Sequence, residues 1–297
     1  MTSLPTVLER PTGLTDADTA RWRDDGYVIV RGLWLAEEIA ACKARFVELN
    51  DAWWAGVTDP EERAAASDQP LKRWPRVLHP HREDALSLRM LLDPRVGAVL
   101  AALMDDEPIA TQSMYYHKPP GGKGQALHQD NYYLRVQPYT CVAAWTAVDR
   151  ADRDNGGLWV CPGTHTYPVQ CPVLANPDES FTTDFVAPPN GTDPVPVELN
   201  PGDVLFFNGS VVHGSRPNAT KDRWRRSFIC HYMPASAAGI ATDYHPCLRF
   251  DGSVFEADAL DGGGPCGSEF THGMKSHAWD ERLAGGEQPV GSGSIPG

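Results

Sequence analysis

The chain is poor in the features that mark membrane proteins, disulfide scaffolds and nucleic-acid binders. Its longest apolar run, Val96–Met104, has nine residues, under half of the roughly 20 that a spanning helix requires. The opening residues, MTSLPTVLERPTG, are polar and broken by prolines, so they lack the apolar centre of a secretory signal. A cytoplasmic protein with no membrane partner is expected. The seven cysteines are odd in number, scattered and never in a Cys-x-x-Cys pair, which argues against a disulfide framework and a zinc knuckle alike. Most of them read as small buried apolar side chains. Positive charge is scarce: 26 Lys and Arg face 39 Asp and Glu, a formal net charge of -13. Such a surface repels a polyanion, so nucleic acid is not an expected partner. No internal repeat is visible, and the sequence is silent on oligomeric state.

What is present divides into two textures. Toward the N-terminus, Thr15 with Asp18 resembles a capping arrangement, YVIV from Tyr27 to Val30 reads as a strand, and Ile39, Cys42, Phe46 and Leu49 share one helical face. More helix is expected from Asp84 to Met104. From Ile109 onward, short β-rich runs alternate with turn residues: IATQSMYYHK, ALHQDNYYLRV, TCVAAWTAV, GLWVC, PVPVEL, DVLFFN and RSFICHYM. This predicts a mainly β fold with flanking helices, its antiparallel strands folded into a sandwich or jelly roll. One domain over residues 1–297 is expected, with a helical preface over about 10–105, a β core over about 106–235 and a C-terminal extension over about 236–297. The Gly-rich end of that extension, GGEQPVGSGSIPG, reads as disordered. The stretch from Pro172 to Pro194, rich in Pro, Asp and Asn, reads as a long insertion covering a site.

The chemistry concentrates in LHQDNYY. On a strand, residues two apart project to one side, so His128 and Asp130 would present an imidazole and a carboxylate to one point. A histidine from a neighbouring strand completes a two-histidine, one-carboxylate set, which leaves adjacent positions open on an octahedral ferrous ion. The triplet alone weighs little, since ten histidines in this composition produce about 0.8 His-x-Asp triplets by chance. Context adds weight. His213 follows PGDVLFFNGS, on a run that would return across the sheet, and Arg225 opens RRSFICHYM. An arginine carried into the same interior suits a small dicarboxylate, because its planar fork binds a carboxylate through two parallel bonds.

Taken in order, MYYHKPPGG, LHQDNYY with Trp145 downstream in AAWTAVD, DNGGLWVCPGTH, PGDVLFF and HGSRPN with RRSFICHY resemble the phytanoyl-CoA dioxygenase family of Fe(II)- and 2-oxoglutarate-dependent oxygenases. The resemblance spans about Gly26 to Pro234 and is strongest from Met114 to His231. It implies a double-stranded β-helix core. It further implies His128, Asp130 and His213 as iron ligands and catalytic residues, with Arg225 gripping the far carboxylate of 2-oxoglutarate and Ser215, Trp145 and Met114 lining the co-substrate pocket. Arg226 is the alternative to Arg225, which is preferred because it shares a strand face with Ser227, Ile229 and His231. Arg76 or Lys72 corresponds to a basic residue that contacts co-substrate in some relatives. The implied reaction consumes O2, decarboxylates 2-oxoglutarate to succinate and CO2, and hydroxylates or otherwise oxidises a small-molecule substrate. The presence of Asp130 argues against halogenation, since the related halogenases lack that carboxylate.

Other residues carry blander expectations. His79-Pro-His81 with Glu83 has poor geometry for a second metal site, because proline separates the rings; His165 reads as a loop-ordering residue and His231 as a core histidine. Tyr132 shares the strand parity of His128 and Asp130, whereas Tyr133, Trp159 and Phe207 read mostly as packing. Arg135 reads as exposed, or with Gln137 as a substrate contact. KPPGGKG lacks the helix start of a phosphate cradle and reads as a mobile loop beside the site. Two other functions stay open at this level. One is a cupin-like isomerase or hydrolase using zinc or manganese; the other is a non-catalytic metal or 2-oxoglutarate-binding protein, for which the fourth protein ligand typical of structural sites is not evident.

Overall fold

The computed structural model describes residues 14–260. The first residues of the expected preface and the Gly-rich C-terminal segment lie outside the described residues. Thr15 opens α1 (Asp16–Asp25) with reciprocal bonds: its hydroxyl accepts from Asp18 N at 3.2 Å while the Asp18 carboxylate accepts from Thr15 N at 3.0 Å. Next come β1 (Tyr27–Val30) and α2 (Ala36–Ala55), which buries Ile39, Cys42, Phe46 and Leu49 along the stripe the spacing predicted. Then come α3 (Pro60–Asp68), α4 (Pro70–Arg73) and β2 (Val77–Leu78). The helical stretch expected from Asp84 to Met104 comprises two helices, α5 (Ala85–Leu91) and α6 (Pro94–Met104). Asp84 and Asp93 cap them separately, each side chain accepting a backbone N–H of the first turn, and Pro94 suits only a first-turn position. No helix among the described residues is long and apolar enough to cross a membrane.

The remaining elements are mostly short strands: β3 (Pro108–Lys118), β4 (Gln125–His128), the helical turn α7 (Asn131–Leu134), β5 (Val142–Ala147), β6 (Leu158–Val160), β7 (Val173–Leu174), β8 (Asp184–Phe185), β9 (Val195–Pro196), β10 (Val204–Asn208), β11 (His213–Ser215) and β12 (Arg225–Pro234). After them come β13 (Gly239–Ala241), β14 (Cys247–Leu248), β15 (Val254–Phe255) and β16 (Asp258–Leu260). The larger sheet runs β1-β10-β5-β12-β3-β14-β15, with β2 also paired to β3. A smaller sheet, β4-β11-β6-β9, faces it. Two antiparallel sheets closed over one interior form the expected jelly roll.

The strand alternation of two sorts the larger sheet's side chains into two cores. Tyr115, Ala144, Phe206 and Phe228 pack outward against Phe46 and Leu49 of α2 and Val99 of α6. Met114, Trp145, Leu205, Phe207 and Ile229 pack inward between the sheets. The outer contact is anchored by Phe46, which stacks on Tyr115 with ring centroids 3.8 Å apart and planes 9° apart. Five of the cysteines, Cys42, Cys141, Cys161, Cys230 and Cys247, are buried and free, as small apolar residues are; Cys171 departs from that reading, being disulfide-bonded.

The insertion is less a free loop than expected. Gly124 N donates to Glu179 O at 2.8 Å, Phe181 N returns a bond to Gly124 O at 2.9 Å, and Val186 N donates to Leu127 O at 2.7 Å. These bonds lay the segment along β4, since a strand edge left unpaired exposes a row of unsatisfied amides. Truncating Phe46 to Ala, at the junction of helices and sheet, is expected to cost about 3–5 kcal/mol in urea denaturation, whereas Glu37→Ala on the exposed face of α2 should stay within about 0.5 kcal/mol.

Candidate active site

The register of two strands builds the centre of the site. His128 ends β4, and in the antiparallel pairing of β4 with β11 its cross-strand partner is His213. Directly opposed residues on one sheet face are near neighbours, and the two rings lie with centroids 4.3 Å apart. Asp130 arrives by a different route from the one the sequence suggested. The strand stops at His128, and Asp130 sits in helical geometry (φ -61°, ψ -36°) at the head of α7. The carboxylate therefore reaches the histidines through a turn, not by strand alternation. It lies 3.3 Å from His128 Nε2 through Oδ1 and 3.6 Å from His213 Nε2 through Oδ2.

Both imidazoles are oriented from behind. His128 Nδ1 pairs with the carbonyl of Ala126 at 2.9 Å, and His213 Nδ1 with that of Val211 at 2.9 Å. A carbonyl only accepts, so each Nδ1 carries the proton and each Nε2 presents its lone pair to the centre, as a metal-ligating histidine requires. Burial pushes the His213 imidazole down to about 4, which keeps that lone pair free at neutral pH. Burial also works against the Asp130 charge, but the surrounding His213, His231 and His128 rings outweigh it and hold the carboxyl well below the usual range. The three ligand atoms lie within 4.8 Å of one another, a cluster able to hold a metal ion.

A cavity opens on this cluster. Met114, Trp145, Ser215 and Arg225 all line it, so these four residues reach the same space. The choice between the two arginines follows from strand parity. Arg226 turns away and pairs with Asp149 through bonds of 2.6 and 3.1 Å. Arg225 turns inward, 3% exposed, with its guanidinium 5.4 Å from the Trp145 ring centroid. It donates to Gly156 O at 3.1 Å and Ser227 Oγ at 2.8 Å, yet no carboxylate pairs with it among the described residues, and burial lowers it to about 10. A buried cation without a counter-ion is costly, and an anionic ligand would relieve that cost.

Several expectations need correction. His231 is not simply a core residue: it lines the cavity, and its Nε2 lies 3.0 Å from Asp130 Oδ2. Because the carboxylate accepts, Nε2 carries the proton, and Nδ1 is left buried without a protein partner. Parity reached this side chain too, since His231 shares the inward face of Arg225, but histidine in a core is so common that parity alone carried no weight. Tyr133, not Tyr132, lines the cavity, because the chain is helical there; its hydroxyl donates to Asp184 Oδ2 at 2.8 Å, tying the insertion to the site. Lys118, expected in a mobile loop, ends β3 and is 1% exposed. Gln112, which the sequence did not flag, lines the cavity with both amide atoms unpartnered.

Arg76 reaches the Tyr116 hydroxyl at 3.0 Å, and neither it nor Lys72 lines the cavity. Arg135 is buried rather than exposed, Gln137 is exposed, and neither lines the cavity. His81 is held by Ser113 Oγ at 2.6 Å, apart from the metal cluster, and His165 pairs with Arg23 O at 3.1 Å, ordering a loop as expected.

The chain matches the family described as Phytanoyl-CoA dioxygenase (PhyH) over residues 22–227, and it belongs to that family. The phytanoyl-CoA dioxygenase domain-containing protein 1 of Danio rerio is 28% identical over 265 residues, covering 74% of this chain and 90% of the relative. Phytanoyl-CoA dioxygenase 1 of Oryza sativa subsp. japonica is 28% identical over 243 residues, covering 70% and 85%. Among solved structures, the epimerase SnoN in complex with Fe3+, alpha ketoglutarate and nogalamycin RO superposes with a TM-score of 0.58 at 23% identity, over 75% of this chain and 84% of that one. EvdO2 from Micromonospora carbonacea var. aurantiaca complexed with 2-oxoglutarate gives 0.56 at 21% identity, over 79% and 96%. These two share the fold.

Replacing His231 by Leu is expected to weaken divalent-metal affinity about 10- to 100-fold, as loss of a ligand-orienting partner does. A cobalt(II) titration reads this directly, and an unchanged affinity would reduce His231 to a packing residue.

Proposed function

We propose that this protein is a non-haem Fe(II)- and 2-oxoglutarate-dependent oxygenase that hydroxylates or otherwise oxidises a compact organic molecule, with release of succinate and CO2. The observation that carries this reading is the pairing of a His128, Asp130 and His213 cluster with a buried, carboxylate-free Arg225 at one cavity. His128 Nε2, the Asp130 carboxylate and His213 Nε2 would hold the ferrous ion, whose chemistry is the activation of O2 as 2-oxoglutarate is oxidatively decarboxylated. Arg225 and Ser215 bind and orient the far carboxylate of the co-substrate. Met114, Trp145 and Ile229 exclude water around its chain, and His231 keeps one Asp130 oxygen engaged so that the carboxylate holds a single orientation.

The substrate end of the cavity has a different chemistry. Arg225 is the one Lys or Arg side chain lining the cavity among the described residues, and the co-substrate occupies it. The Gln112 amide and the Nδ1 of His231 remain unpartnered, which suits a hydroxyl or amide group on the substrate. A net charge of -13 gives the phosphates of a coenzyme A thioester no overall attraction to this chain, so a free metabolite is the better fit.

With ferrous iron, ascorbate and O2, the wild-type protein is expected to convert 2-oxoglutarate to succinate, followed by mass spectrometry. A protein that binds neither iron nor 2-oxoglutarate would end the proposal. Asp130→Ala should abolish turnover coupled to substrate oxidation, and full activity in that variant would refute its role as a ligand. Arg225→Leu should raise the KM for 2-oxoglutarate roughly 10- to 100-fold, the worth of a hydrogen bond to a charged group, while Arg226→Leu leaves it unchanged.

A further inference from the structure

Lys118 is fully enclosed at the end of β3, and no carboxylate meets it among the described residues. Its ammonium donates to three neutral oxygens: Ser215 Oγ at 2.8 Å, Arg216 O at 2.9 Å and Gly156 O at 3.1 Å. An ammonium has three protons, so nothing is left over for a ligand. Enclosing a cation this way is costly, and the hydroxyl and the two carbonyls around the ammonium offset that cost. Whatever the lysine does for the cavity, it does through the groups it touches.

Ser215 is the one whose polarity it can set. The Ser215 oxygen accepts from Lys118 Nζ and also from Gln125 N at 3.2 Å. A hydroxyl has two lone pairs and one proton, so both acceptor positions are filled from behind. The proton is left to donate, Ser215 lines the cavity, and no acceptor for it is found among the described residues. The second shared atom is Gly156 O, which accepts from both Lys118 Nζ and Arg225 Nε at 3.1 Å. The lysine can lie there because position 156 is glycine: with φ at +78°, an added Cβ would stand 2.7 Å from Arg216 O and 2.8 Å from Lys118 Cδ.

The geometry points to Lys118 as the positioning residue of the carboxylate subsite. By filling an acceptor site on Ser215, it makes that hydroxyl a permanent donor beside Arg225, so the subsite takes an anionic carboxylate and disfavours an uncharged group. This rests on the reading of the cavity as a 2-oxoglutarate site and adds to it the residue that sets the subsite's polarity.

The test uses full-length protein loaded with redox-inert Mn2+ and measures binding by calorimetry. The probes are 2-oxoglutarate and 2-oxopentanoate, a keto acid that lacks the far carboxylate. Lys118→Met should weaken 2-oxoglutarate binding about tenfold and leave 2-oxopentanoate unchanged, so the ratio of the two affinities moves and not merely their level. Ser215→Ala should do the same, and the Lys118→Met, Ser215→Ala double variant should lose no more than either single, as expected of residues acting through one bond. Lys118→Gln, which keeps N–H donors without the charge, provides a second variant should Met at this position prevent folding; it should retain part of the discrimination. Additive losses, or equal weakening of both keto acids, would overturn the assignment. A wild type that binds neither keto acid overturns the oxygenase reading along with it, whereas equal 2-oxoglutarate affinity with and without Lys118 overturns the assignment alone.

Discussion

Everything at this site depends on placing charge inside a β-sandwich. A carboxylate, a guanidinium and an ammonium are taken out of water between two apolar sheets, where each costs several kcal/mol unless it is bonded or paired. The structure meets that demand unevenly. Asp130 is surrounded by three imidazoles and Lys118 has an acceptor for every proton. Arg225 has two neutral acceptors and no anion among the described residues. The uneven distribution is itself the functional signal, since a fold that satisfied every group internally would have nothing left with which to bind a ligand.

Order in this centre comes from elements outside it. The two histidines of the cluster are oriented by carbonyls two residues before them, and they meet because β4 and β11 pair in one register. A slip of one residue would send one ring to the opposite face. The larger sheet is in turn held flat against α2 and α6 by the outer core around Phe46 and Tyr115. Among the described residues, none of the helical preface lines the cavity, yet it stiffens the wall from which Arg225, Ile229 and His231 project. The insertion is tied to the site through its bonds to the β4 segment and to Tyr133, which does line the cavity.

Much of the chain could be read directly from its order of residues. The capping box at Thr15, the buried stripe of α2 and the run of short strands after Ile109 follow from local periodicity and turn chemistry, which each segment carries within itself. The inward face of β12 was equally legible, because side chains alternate and Arg225, Ser227, Ile229 and His231 must fall together. The candidate site was legible as a set of residues but not as an arrangement. The sequence placed Asp130 on a strand beside His128, while the chain turns into α7 there; the same turn exchanged Tyr132 for Tyr133 at the cavity. Local patterning does not say where a strand ends when the end is imposed by what it packs against.

What the sequence determined by itself is the kind of centre this protein holds: two histidines and an aspartate in order, an arginine on an inward parity, and enough apolar residues to bury them. Only the tertiary structure decided which groups are spent on holding the fold and which remain for a ligand. Arg226 and Arg225 are chemically identical neighbours, yet one is neutralised by Asp149 and the other is left facing the cavity. Lys118, His231 and Gln112 acquire their meaning in the same way, from partners found or missing across the sheet. Hydrogen bonding and ion pairing between distant segments are settled by distances of a few ångströms, and those exist only once the sheets have closed.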